Sequence, residues 1–335
     1  MTNQLEDDLV NSDGCLKLSR YRDEDASLWD EFIKEAPMAN FLHSRRYLAY
    51  HAHRFKDMSL LIRDEDNQLV GVFLAAIDSR YPQKIISHPG ITYGGILQKG
   101  YLRGEKMLQA LTEVRDYYAT KGFESLQYKA VPYIYHRVPS GDDIYALFRL
   151  GAKRYRCDLS CAIDFSHRLK PSNRRLRGSK KALKSGLQIK EGVEFVPDLW
   201  QVLESNLQQK YGVKPVHSLS EISLLHSWFP ENIEFIVGVV NNEVVAGVVL
   251  YKYWPIVVHT QYITSSSTGY KISALDPIFE HCLEKAQKRG SRYFSFGVST
   301  EQEGQYLNTG LYQFKSEFGG GGVVHEFYEI NLKTY

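Results

Sequence analysis

The sequence predicts an α/β (α+β) fold made of two similar units, each a mixed sheet with flanking helices. Three observations lead there. At 335 residues the chain can bury two cores of ordinary size. The stretch DNQLVGVFLAAI, from Asp66, matches NNEVVAGVVLYKY, from Asn241, and ALTEVRDYYATKGFESLQY matches IFEHCLEKAQKRGSRYFSF; the offsets are 175 and 168 residues. Two similar offsets of about half the chain suggest one duplicated unit. The order of signals (hairpin strands, a further strand, a helix, a strand) also recurs in both halves.

In the first half, DASLWDEFIKEA from Asp25 to Ala36 opens with acidic residues and spaces Leu28, Trp29, Phe32 and Ile33 on one helical face. Ser44 to Phe55 reads as a second short helix. Strand signals follow at Met58 to Ile62, Leu69 to Ile77 and Lys84 to Ser87, and then the loop HPGITYGG. Glu105 to Thr120 reads as a helix stopped by Lys121-Gly122, with Ser125 to Val131 and Leu159 to Phe165 as strands. In the second half, Leu199 to Tyr211 and Glu221 to Trp228 read as helices. Strands are expected at Glu234 to Val240 and Val244 to Tyr253, joined by a turn at Asn241-Asn242, and at Ile256 to Ile263. Leu275 to Lys288 reads as a helix ended by Arg289-Gly290, with Tyr293 to Val298 and Phe327 to Leu332 as the last strands. The expected domains are residues 1–165, with 1–14 a disordered tail, and 166–335, opening on a basic linker helix.

Composition excludes several classes. A net charge of +2 gives no global reason to expect a nucleic-acid coat or a polybasic membrane binder. Cys15, Cys157, Cys161 and Cys282 show no CxxC and no histidines at metal spacing, so they read as reduced thiols, and no metal is expected. The acidic, polar start lacks signal-peptide character, and no apolar run approaches the ~20 residues that span a bilayer. A cytoplasmic location with no transmembrane segment is the expectation. Twenty-three tyrosines supply flat faces with hydroxyls that suit sugars and polar substrates, or ordinary packing. The chain has no GxSxG elbow, P-loop, HExxH, or GxGxxG after a strand.

The densest local signal lies between Arg168 and Lys190, where nine of twenty-three residues are basic and none is acidic. Arg177, Lys180, Lys181 and Lys184 fall at helical spacing and would share one cationic face. Such like-charge pairs cost a helix a few tenths of a kcal/mol each, which a bound polyanion would offset. Arginine forks suit phosphate oxygens, so this stretch reads as a phosphate site, with a solvated linker as the plainer alternative. A second signal is FSFGVSTEQEGQYLNTGLYQFKSEFGGG, in which Lys315 lies between Phe314 and Phe318, an i, i+4 pair on a helix. A third is HPGITYGGIL, three glycines around Tyr93, where the backbone could approach a ligand closely or simply turn. His259 sits mid-strand in IVVHTQYI, placed to relay a proton or to be a buried structural histidine. His43 sits in FLHSRRY.

These residues resemble the FemAB-type N-acyltransferases, enzymes built from two GNAT domains. RLRGSKKALKSGL looks like the Arg-x-x-Arg/Lys-Lys-Ala-x-x-x-Gly stretch that opens their second half. NTGLYQFKSEFG looks like their closing block through Asn308, Gly310, Leu311, Phe314, Lys315, Phe318 and Gly319. The resemblance implies catalytic roles for Lys315, as stabiliser of the acyl oxyanion, and for His259. It implies substrate contacts at Arg177, Lys181, Arg175, Tyr93, His43 and Phe314. Two departures bear on the donor. The coiled-coil arm of some relatives is missing, and SSSTGYKISALDP holds only Gly269 and Lys271 of an acyl-CoA loop. The expected donor is acyl-CoA, with aminoacyl-tRNA second, and the expected partner is a phosphate-bearing small-molecule or lipid-linked sugar acceptor. Nucleic acid is not expected except as a tRNA donor. The implied function is transfer of an acyl or aminoacyl group to an amine of a nucleotide- or lipid-linked cell-envelope precursor. The alternative is a catalytically silent GNAT pair that binds nucleic acid or a partner protein through Arg168–Lys190.

Overall fold

The computed structural model describes residues 16–51, 54–253 and 255–333; the expected N-terminal tail and Cys15 lie outside them. The chain forms two compact units. The first runs up to Asp158 and takes in the residues from Val324 onward; the second runs from Leu159 to Val323. This differs from the sequence expectation in two respects: the second unit begins at Leu159 rather than after residue 165, and the last strand belongs with the first unit. Its residues Phe327–Asn331 pair antiparallel with Ser125–Lys129. Alternation in a sequence identifies a strand but not its hydrogen-bonded partner.

In the first unit, Lys17–Arg20, Leu60–Arg63, Leu69–Phe73 and Ile96–Gln98 form a four-stranded antiparallel sheet. Lys84–Ile86 runs antiparallel to Ala76–Ile77 and parallel to Ser125–Gln127. Parallel neighbours need a crossover, and the helix Glu105–Thr120 supplies it, burying Met107, Ala110, Leu111, Val114, Tyr117 and Tyr118 at three- and four-residue spacing. Gly122, at φ +83°, takes the left-handed position that ends the helix. The helix Asp142–Arg149, not expected from the sequence, adds Ala146 and Leu147 to the core.

In the second unit the strands lie in the order Lys153–Asp164, Tyr293–Val298, Val257–Ser265, Glu243–Tyr253, Ile233–Val240, Gln188–Glu191. Asn241 (φ 49°) and Asn242 (φ 64°) make the expected hairpin turn, a conformation that asparagine tolerates better than most residues. The helix Leu275–Lys288 crosses from Val257–Ser265 to Tyr293–Val298 and buries Leu275, Ile278, Phe279, Cys282, Leu283 and Ala286. The parallel pairing it allows is short: Val257–Tyr293, Val258–Phe294 and His259–Ser295. Beyond His259 the first of these strands keeps its antiparallel partner, while the second becomes irregular between Ser295 and Val298. The two strands therefore part at His259 and Ser295. Hairpin, crossover helix and a short parallel pair thus occur in both units, as the sequence offsets suggest. Among the described residues, no helix is long and apolar enough to cross a membrane.

Candidate functional site

The helix Thr309–Ser316 starts with Asn308, whose side chain accepts from Leu311 N at 3.0 Å. Phe314 and Phe318 pack edge to face at 5.3 Å and both meet Phe279, at 6.0 and 5.2 Å. That anchors the helix and fixes the direction of Lys315. Its side chain turns inward, leaving the residue only 3% exposed. Nζ donates to Gly297 O at 3.0 Å and to Val298 O at 2.5 Å, in the irregular segment beside the parting strands. Burial pushes the Lys315 pKa down to about 8, opposed by the nearby Cys161, whose thiol is itself pushed up to about 12 by burial. At neutral pH the lysine is still mostly a cation. Two of its three N–H donors have main-chain acceptors.

On the other side of Gly297 lies His259. Its Nδ1 shares a hydrogen bond with Ser295 Oγ at 3.1 Å, and the same oxygen accepts from Gly297 N at 3.3 Å. Gly297 has φ +74°, and a Cβ there would stand 3.4 Å from His259 Cε1. The glycine therefore both permits the backbone turn and leaves room for the imidazole. Lys315 and His259, the two expected catalytic residues, thus both address one four-residue segment, Ser295–Val298. Ser295 and Gly297 were not singled out from the sequence. The available signal was a glycine inside an otherwise aromatic strand, FSFGV, which commonly marks a bulge.

The expected substrate-binding residues divide. Arg175 lies buried on the basic helix Asn173–Lys184, with Nη1 2.5 Å from Asp276 Oδ1 and Nε 3.0 Å from Glu317 Oε2. Its guanidinium also covers the rings of Phe314 and Phe318, at 4.8 and 5.6 Å. This corrects the expectation for Arg175: it ties three helices of the second unit together, so its donors face carboxylates of the chain itself. Phe314 is likewise engaged by core rings. Arg177 lies two positions further on, about 200° around the helix, and is exposed. Lys181, also exposed, donates to Lys271 O at 2.6 Å. Arg168 bonds Phe318 O and Glu280. Two of the cations between Arg168 and Lys190, Arg168 and Arg175, therefore pair with carboxylates of the chain itself, which weakens the case for the whole stretch as a nucleic-acid surface.

In the first unit, His43 is fully buried. Its Nδ1 accepts from Asn40 N at 3.0 Å, and Nε2 lies 3.2 Å from Tyr93 O. Burial takes its pKa down to about 4, so it is neutral at physiological pH. Tyr93 is 2% exposed, accepts from Asn40 Nδ2 at 3.2 Å and stands 4.6 Å from the ring of Tyr135. Both residues, expected as substrate contacts, are buried within the first unit. The glycines beside Tyr93 have packing reasons: a Cβ on Gly94 would lie 2.9 Å from Ser87 O, and one on Gly95 2.4 Å from Tyr128 Oη.

No family model matches the sequence, and a search of curated proteins gives no match. Solved structures do match. FemX aligns over 91% of this chain and 96% of its own at 12% identity, with a TM-score of 0.64. L-PGS from Bacillus licheniformis aligns over 92% of this chain and 91% of its own at 11% identity, TM-score 0.58. A tandem GNAT protein from the clavulanic acid biosynthesis pathway aligns over 96% and 99% at 10% identity, TM-score 0.53. Two GNAT-like α/β units in tandem, the architecture that the FemAB-type resemblance implies and that FemX shares, are the fold of this chain.

Proposed function

We propose that the chain is an N-acyl- or aminoacyltransferase that acylates an amine on a nucleotide- or lipid-linked cell-envelope precursor. The observation that carries this reading is the Lys315 ammonium, held by two main-chain carbonyls beside the point where parallel strands part in the second unit. The fold shared with FemX and L-PGS supports the same class. The acyl carbonyl would lie with its oxygen toward the remaining Lys315 N–H. Attack by the neutral acceptor amine forms the C–N bond and places negative charge on that oxygen, where a preorganised cation lowers the barrier. Collapse expels the donor's thiolate or alkoxide, and the attacking nitrogen gives up a proton, with His259 as its relay to the leaving group. Acyl-CoA remains the first candidate donor and aminoacyl-tRNA the second. Arg177, with Lys181 beside it, would hold the acceptor's phosphate.

The test incubates the protein with acyl-CoA and aminoacyl-tRNA pools and with nucleotide- and lipid-linked amine acceptors, and reads amide formation by mass spectrometry. A new amide on an acceptor supports the reading. No amide with either donor class, from folded protein, overturns it.

A further inference from the structure

The basic helix Asn173–Lys184 buries Arg175, Gly178 and Ala182 and turns its other side outward. Two leucines stand on that outward side, Leu176 at 41% and Leu183 at 54% exposure, seven residues apart and so about two turns along one line. Leu169, just ahead of the helix, is 65% exposed. Beside this apolar line run Arg177, Lys180 and Lys184, all exposed, with Lys170 and Arg174 exposed nearby. No acidic residue occurs from Arg168 to Lys190. Two unfavourable features therefore share one face: like charges at helical spacing, and leucine side chains in water.

We propose that this face docks on an anionic phospholipid bilayer, with the helix lying in the interface plane. Headgroup phosphates would neutralise the cations while the leucines enter the acyl boundary, the arrangement of interfacial amphipathic helices. A bilayer relieves both features at once, whereas a nucleic acid would neutralise the lysines and leave the leucines in water. The surface goes beyond the proposed chemistry by saying where a lipid-linked acceptor would be met, and it is measured without any turnover.

The full chain is sedimented with vesicles of equal phosphatidylglycerol and phosphatidylcholine, and with vesicles of phosphatidylcholine alone. Binding is expected to the anionic vesicles only and to weaken with salt. Leu176→Ser and Leu183→Ser should each lower partitioning about tenfold, and Lys180→Gln and Lys184→Gln about fivefold each. All four positions are exposed, and circular dichroism checks that each variant keeps its fold. The proposal is overturned if anionic vesicles do not retain the chain. It also fails if the serine variants bind as well as wild type, or if duplex RNA displaces the vesicles and binds independently of the leucines.

Discussion

Replacing Lys315 by Met separates the two roles that a buried cation can have. Its pKa falls from 10.5 to about 8, so roughly 3 kcal/mol disfavours the charged form in the folded chain. Methionine removes that cost but leaves Gly297 O and Val298 O without their donor, at about 2 kcal/mol each. The two effects nearly cancel, so the stability loss should be about 1 kcal/mol, or roughly 3 °C in melting temperature for a unit of this size. The rate should behave differently. A lost oxyanion donor costs ~10²–10³-fold, read as amide formed per unit time by mass spectrometry. Lys315→Gln retains a neutral N–H donor, so it should melt close to wild type and still lose the rate. The lysine acts as a cation, so activity that depends on it falls as pH rises through about 8. That high-pH limb should be missing from both variants. Turnover by Lys315→Met within tenfold of wild type, or an unchanged limb, refutes the reasoning.

Gly178→Ala would place a Cβ 1.8 Å from Asp276 Oδ2 and break the buried pair with Arg175, costing about 3 kcal/mol in urea unfolding; an unchanged midpoint would show that the pair does not hold the helix. Arg177→Met, at an exposed position, should change stability by less than about 0.5 kcal/mol and raise the acceptor KM more than it lowers kcat. The opposite split would remove it from phosphate binding. Burial lowers Lys129 to about 7 and Lys315 to about 8. Between those values and about 10.5 these two lysines bind more protons in the unfolded chain than in the folded one, and stability should rise from pH 7 to about pH 9. The buried Cys161 and Cys282 thiols, and then Tyr118 and Tyr128, all raised above their ordinary values, oppose the trend beyond that. Thermal melts across this range check it, and a melting temperature that falls from pH 7 to 9 contradicts it.

The duplication was legible because it is written in local pattern. The turn Asn241-Asn242 and the helix Glu105–Thr120 both appear where the sequence places them. What escaped the sequence depends on distant partners. Lys17–Arg20 is too short to show alternation and is a strand because Leu60–Arg63 pairs with it. Arg175 reads as a free phosphate ligand until Asp276, 101 residues away, is found against it. His43 reads as a polar residue in the sequence, but its partner, the main-chain oxygen of Tyr93, lies 50 residues on. Lys315 was legible as a lysine between two packed phenylalanines. Its inward direction was not, because that depends on carbonyls that Gly297 and Val298 expose 17 or 18 residues earlier.

The two units also differ at the corresponding place, and the difference bears on where chemistry can occur. In the first, the parallel pair ends at Ile86 and Gln127, and the chain then bonds back across the end. Ser87 N donates to Gln127 O at 2.8 Å, Lys129 N to Ser87 Oγ at 2.7 Å, and Gly94 N to Lys129 O at 2.9 Å. The buried Lys129 ammonium donates to Ile91 O of the same loop. Main chain closes part of that end directly, Ser87 to Gln127 and Gly94 to Lys129, with the Ser87 hydroxyl and the Lys129 side chain completing it. In the second unit side chains carry more of the bridging: His259 to Ser295, and Lys315 to the carbonyls of Gly297 and Val298. Side-chain bridges can exchange partners with a substrate at the cost of rotamers, whereas a main-chain plug must be unfolded first. If one unit of the pair transfers an acyl group, this difference favours the second. Loss of the rate in Lys315→Met, with Lys129→Met changing stability alone, would bear that out. A comparable loss of rate in both variants, each still folded, would mean that the first unit takes part in the chemistry as well.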